Sequence, residues 1–274
     1  MIGFKKIMPL ALLFLLISLP ALALPAFPGA QGMGASTIGG RGGTIYKVTN
    51  LNVTGAGSFR AAVTASGPRI VIFEVSGVIN LQSLLTITNP YLTIAGQTSP
   101  GGICIAGWTV QFNTHDVIAT HMRFRTGQLG QGASNPDDVH AIQVFGSSQG
   151  TGVAPAYNII FDHCSFSWGI DENIDIDYDY HDITFSWCSI IDPLMGNHSE
   201  GAHHNLGMLA WGKYTAANSG GMTMHHCFFG YNYYRVPEVN FRGFLDLTNN
   251  VNYWTYSSWA PMVEPMTYNN TYEK

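Results

Sequence analysis

"IIFDHCSFSW" at 159–168 and "ITFSWCSIID" at 183–192 decide the fold, because the second nearly repeats the first. Each is a β-branched apolar run, a polar corner and a second short run. The same shape recurs in "IVIFEVSGVI" (70–79), "LTIAGQTS" (92–99), "VIATHMRFR" (117–125), "MTMHHCFFGYN" (222–232), "LDLTNNVNYW" (245–254) and "MTYNNTYEK" (266–274). Alignment puts Val75, Gln97, Met122, Cys164, Cys188, Cys227, Asn250 and Asn270 in one column, with steps of 22, 25, 42, 24, 39, 23 and 20 residues. Such a period, with strand-like alternation and little helical pattern, predicts an all-β chain: a single-stranded parallel β-helix of about eight coils. One coil cannot bury its apolar side alone, so stacking supplies the core. A leucine-rich array needs a Leu-x-x-Leu-x-Leu pattern, and a sandwich needs hairpin turns at intervals of roughly 8–12 residues; neither is evident.

The column assigns bland roles first. Cys164, Cys188 and Cys227 read as small buried hydrophobes rather than a disulfide or metal set. Asn250 and Asn270 suggest an asparagine ladder, and Trp168 and Trp187 read as packing residues. Asp162 and His163 read as a hydrogen-bonded structural pair. The two long steps insert residues 126–157 and 193–221, which a solenoid projects on one face. They carry Asp137, Asp138 and His140, then His198, Glu200, His203 and His204.

Residues 1–23 have a positive start (Lys5, Lys6), an apolar run and an Ala-Leu-Ala end, which predicts a cleaved secretory signal. The β-helix domain is then 24–274, expected to be extracellular and monomeric. Removing the signal leaves 10 basic against 17 acidic groups, a formal charge of −7. That disfavours nucleic acid and anionic membranes as partners. Four cysteines (Cys104, Cys164, Cys188, Cys227) are too few for a disulfide scaffold.

Between the insertions lies "GIDENIDIDYDYHD" (169–182), with six carboxylates and no Lys or Arg in a chain that is only 11% charged. Its strict alternation from Ile174 to Tyr180 predicts that Asp175, Asp177 and Asp179 share one strand face. Aligned like charges destabilise a strand unless neutralised. A Ca²⁺ ion, which takes about 6–8 oxygen ligands, would neutralise them. Glu172 follows Cys164 by eight residues, and Arg235 follows Cys227 by eight. Equal offsets predict one azimuth two coils apart, roughly 10 Å at the spacing of neighbouring strands.

Five stretches together resemble the secreted pectate lyases: "FPGAQGMGASTIGGRGGTIYKVTNLNVTGAGSFRAAV" (27–63), "GPRIVIFEVSGVI" (67–79), "LTIAGQTSPGG" (92–102), "FDHCSFSWGIDE" (161–172) and "YYRVPEV" (233–239). The resemblance implies a right-handed parallel β-helix and Ca²⁺-dependent β-elimination of polygalacturonate, an acidic polysaccharide. It maps the catalytic arginine, assigned as base, onto Arg235 of Arg235-Val236-Pro237. Because arginine stays protonated in proteins, Arg235 could instead clamp the substrate carboxylate. The resemblance maps calcium ligands onto Asp171 and Asp175, and a third onto "DDVHAI" (137–142), where His140 stands in place of the usual Asp and Asp138 lies two positions earlier. It implies substrate contacts at Arg242, two residues later than the usual spacing. In "GNHSEGAHHNLGML" (196–209), Glu200 replaces the usual Lys between His198 and His203, leaving Lys213 as the nearest lysine. Relatives continue past "MTYNNTYEK", so the chain is expected to be either a short form or C-terminally truncated.

His140 and Glu200 raise a second reading, a catalytically weak homologue that binds acidic polysaccharide. A structural β-helix would not gather polar groups on one face. A transition-metal site among His198, His203, His204, His225 and His226 matches no zinc spacing.

Overall fold

Leu92 starts a coil that can be followed by eye. Strand Leu92–Ala95 lies in one sheet, Ile103–Ala106 in a second and Val110–Phe112 in a third, and Val117–Thr120 returns to the first beside Leu92–Ala95. In the computed structural model the described residues are 24–127, 139–146, 155–195, 204–212, 221–240 and 243–255, with backbone alone for 262–263. Among them the circuit repeats to give a first sheet of eight strands and a second and third of seven each. Every pairing is parallel, so the fold is the expected parallel β-helix.

The core is a set of columns running along the stack. Val71, Ile94, Ala119, Phe161, Phe185, Met224 and Leu247 stand in one register of the first sheet. Phe161 stacks on Phe185 at 5.0 Å between ring centres, and Phe124 on Phe166 at 5.5 Å. Each strand side chain thus covers its neighbour in the next coil, which is how stacking removes apolar surface from water.

His121, His163, Trp187, His226 and Asn249 each turn the chain out of the first sheet with φ between 53° and 56°. The next residue in each case is Met122, Cys164, Cys188, Cys227 or Asn250, the predicted column. The column's first member is off by one: Ile72 pairs with Ala95, so continuing that register sets Glu74, not Val75, opposite Gln97. Left-handed corners cost non-glycine residues about 1–2 kcal/mol each. Here the N–H groups of His121, His163, Trp187 and His226 donate to the next coil, His163 to Ser186 O at 2.9 Å and Trp187 to His225 O at 3.1 Å.

Trp168 and Trp187 pack on the surface and not in the core, Trp168 under the Arg125 guanidinium. They are 46% and 54% exposed, because the left-handed corner points them outward. Trp187 lies between the rings of His163 and His226 on the surface. Of the expected ladder, Asn270 lies outside the described residues and Asn250 within them. Asn250 accepts from Cys227 N and donates to Met224 O, both at 2.8 Å.

The cysteine column is buried and free of disulfides. Each thiol reaches a backbone carbonyl, Cys188 Sγ lying 3.3 Å from Ser186 O. Burial, then hydrogen bonds with Cys164 and Cys227, push the Cys188 thiol well up, so less thiolate forms at a given pH. In native protein at mildly alkaline pH, a thiol reagent is expected to titrate at most Cys104, and all four cysteines after denaturation. Two or more fast-reacting thiols before denaturation would contradict this packing.

Two features close the N-terminal side. Helix Phe59–Thr64, capped by the Ser58 side chain, buries Phe59, Ala62 and Val63. Arg69 is fully buried beside it and donates to the carbonyls of Val63 at 2.6 Å, Pro90 at 2.9 Å, Asn89 at 3.0 Å and Gly67 at 3.1 Å. A 3-10 turn at Met33–Ser36 crosses the outside of the first sheet, where Gly34 N donates to Thr184 Oγ1 at 2.9 Å. A Cβ on Gly34 would lie 2.3 Å from Ile159 O, so only glycine allows that approach.

Each long insertion divides around one strand of the third sheet. Residues 126–141 and 146–155 flank strand Ile142–Phe145, and 192–205 and 213–220 flank Leu206–Gly212. Strand Glu172–Tyr178, from the acidic run, lies between these two.

Candidate active site on the third sheet

Strand Glu172–Tyr178 sends Ile174 and Ile176 into the core, and both are fully buried. The predicted single face for three aspartates ends early. Tyr178 turns left-handed at φ 69°, so Asp179 belongs to the corner and only Asp175 and Asp177 share the strand. The alternation continued across the corner by chance of sequence, since Tyr180 begins the next strand as a buried core residue.

Asp175 is the last member of a hydrogen-bonded ladder across four coils. Thr86 donates to Gln111 at 3.2 Å, Gln111 to Gln143 at 2.5 Å, and Gln143 Nε2 to Asp175 Oδ2 at 2.7 Å. The amide ladder holds the carboxylate in a fixed orientation at 4% exposure.

His140 faces the same carboxylates. Its Nδ1 lies 3.2 Å from Glu172 Oε2 and its Nε2 lies 3.7 Å from Asp175 Oδ2. Its peptide is held by threonine hydroxyls: Thr109 and Thr126 both donate to His140 O, and His140 N donates to Thr109 Oγ1 at 3.0 Å. The imidazole is 3% exposed and its Nδ1 makes no hydrogen bond. Asp171 meets His204 Nε2 at 2.7 Å. One ligand atom each from His140, Asp171 and Glu172 fall within 4.8 Å of one another.

Arg235 completes the cluster from two strands away. Its Nη1 is ion-paired with Glu172 Oε1, and its Nε donates to Glu238 Oε2 at 2.8 Å. The shared azimuth of Glu172 and Arg235 is therefore found, but as direct contact rather than a gap of two strands. Long side chains close the distance between backbones. Glu238 and Gln143 were not singled out from sequence. Glu238, three residues after Arg235, carried a local signal; Gln143 carried none apart from register. Of the expected site residues, Asp138, His198, His203, Lys213 and Arg242 lie outside the described residues, as does Glu200.

Asp162 and His163 behave as a structural pair: His163 Nδ1 lies 2.6 Å from Asp162 Oδ2, and Ser186 Oγ donates to the other oxygen at 2.6 Å. His115–Asp116 and His181–Asp182 repeat the contact at 2.8 Å.

Fold and site together define a three-sheet parallel β-helix with a buried acid–arginine cluster on one side. In sequence the chain is similar to fungal proteins named probable pectate lyase C. It is 39% identical over 247 residues to probable pectate lyase C of Aspergillus fumigatus, and 38% identical over 234 residues to that of Aspergillus oryzae. Those matches take in 87% and 84% of this chain, which spans about half the length of these relatives, 51% and 48%. No family model matches. A pectate lyase from a Bacillus species, solved with trigalacturonate, shares the fold at TM-score 0.56 and 18% identity, over 81% of this chain and 68% of that one. The cedar pollen allergen jun a 1 shares it at TM-score 0.53 and 22% identity, over 81% and 63%. Among the described residues, no helix is long and apolar enough to cross a membrane.

Proposed function

We propose that this chain is a secreted lyase that cleaves polygalacturonate by β-elimination. The observation that carries this reading is the Glu172–Arg235–Glu238 bridge beside Asp171 and Asp175 in a homologue of proteins named pectate lyase. In β-elimination a base takes the C5 proton, the electron pair of the C–H bond forms the C4–C5 double bond, the C4–oxygen bond breaks with its electrons on the oxygen, and that oxygen takes up a proton from an acid or water. Charge spreads onto the carboxylate attached to C5. A guanidinium aimed there binds the carboxylate and stabilises that charge. Arg235 is assigned this clamping role. The base role implied by the resemblance would require it to give up a proton that arginine normally keeps.

Pectate lyases are generally calcium-dependent, and Asp171, Glu172 and Asp175 supply the acidic oxygens such an ion prefers. The whole donor set does not match calcium's all-oxygen preference. The His140 imidazole stands between Glu172 and Asp175, and Glu172 already bridges to Arg235. Binding without turnover is the second reading, and His140 is the observation that favours it.

The discriminating measurement follows ultraviolet absorbance of the unsaturated product from polygalacturonate, with added divalent cations and with chelator. Product should accumulate, and a catalytically inactive protein that still binds the polymer would overturn the lyase assignment.

A further inference from the structure

We propose that His140, Asp171 and Glu172 form a binding site for a borderline transition-metal dication of the zinc class, in preference to calcium. The inference concerns the same cluster as the proposed lyase site, and rests on that reading only for the metal's use in turnover.

Three observations carry it. The donor set is mixed, one imidazole nitrogen and two carboxylates, and imidazole suits zinc while calcium takes oxygen. The donor atoms lie within 4.8 Å of one another. Bound zinc would draw them to roughly 3.4 Å apart, given bonds of about 2.1 Å in a tetrahedron. That is a side-chain adjustment rather than a change of fold. The third observation is His140 Nδ1: it lies in a side chain only 3% exposed, makes no hydrogen bond and faces Glu172 Oε2. A buried ring nitrogen without a hydrogen bond is costly unless something takes its lone pair or proton.

Charge points the same way. Among the described residues, Asp171, Glu172, Asp175 and Glu238 set four carboxylates against one guanidinium, that of Arg235, in a largely buried cluster. Buried charges are held by pairing or by metal. The surroundings also orient the donors: the threonine clamp fixes the His140 peptide, His204 sits against Asp171, and Arg235 takes one Glu172 oxygen while the other faces His140. Outer partners of this kind are what metal ligands normally have.

The test is calorimetric titration of chelator-treated, desalted protein with ZnCl₂ and, separately, CaCl₂, with Co²⁺ absorption as an optical probe. One Zn²⁺ per chain should bind at least about tenfold more tightly than Ca²⁺, and Co²⁺ should give visible bands that His140→Ala removes. His140→Asp, which makes the set all-oxygen, should reverse the order. His140→Gln provides the same reading if His140→Asp fails to fold, as judged by thermal unfolding. Calcium binding as tightly as zinc, no binding of either ion, or unchanged zinc affinity in the His140 variants would overturn the proposal. Zinc preference without any product from polygalacturonate would sink the lyase reading and leave this one standing.

Discussion

Arg235→Ala is expected to lower kcat on polygalacturonate by roughly 10²–10³-fold, the usual loss when one charge-stabilising donor is removed from a reacting centre. The same change strands Glu172, 1% exposed, and Glu238, 7% exposed, without the cation they share. Leaving a buried ion uncompensated costs about 3–5 kcal/mol. Rate and stability must therefore be separated, by assaying well below the variant's unfolding midpoint. Arg235→Lys supplies the second control. It keeps the charge but lacks the planar fork that reaches both carboxylates, so it should retain more stability while remaining more than about tenfold slow. If Arg235→Ala retains full turnover on folded protein, Arg235 is not the clamp.

Arg69→Met should produce the largest loss of stability outside the site, about 3–5 kcal/mol. The guanidinium is fully buried, and no carboxylate pairs with it among the described residues. Burial pushes its pKa down, as expected for a cation held by neutral dipoles. It satisfies carbonyls from the end of helix Phe59–Thr64 and from the turn at Asn89–Pro90, so one side chain ties together the pieces that cover the first coils. Methionine fills similar volume but donates nothing, and leaves buried carbonyls unpaired. At about 2–4 °C per kcal/mol for a chain of this size, the midpoint should fall by roughly 6–20 °C in a thermal scan. A shift of a degree or two would mean that water reaches those carbonyls in the variant.

The fold was legible because a β-helix writes its period into the chain. Phe161 and Phe185 occupy the same place in adjacent coils, and so do Cys164 and Cys188. Alternation failed at corners, where a left-handed residue exchanges inside for outside without a change of residue type. Trp168 and Trp187 therefore face solvent, and Asp179 leaves the face of Asp175. The site was legible as charge and azimuth: Glu172 and Arg235 share an offset and touch. Gln143 was not, because it reaches Asp175 only through register between neighbouring coils, 32 residues apart in sequence, and Glu238 carried no more than its place three residues after Arg235. Equal offsets locate backbones, but side-chain reach decides contact.

The Arg235–Glu172 bridge has a mechanical consequence. In a stacked array each coil normally holds only its immediate neighbours, so strands can peel away one at a time. This ion pair skips a strand: Glu172 stands on one side of Leu206–Gly212, and Arg235 leads into Glu238–Asn240 on the other. Peeling Glu238–Asn240 from the stack must also uncover a carboxylate two strands away. The bridge couples second neighbours, so the cluster and the coils around it should open as one cooperative unit, seen as a shared rate of amide exchange across the three strands.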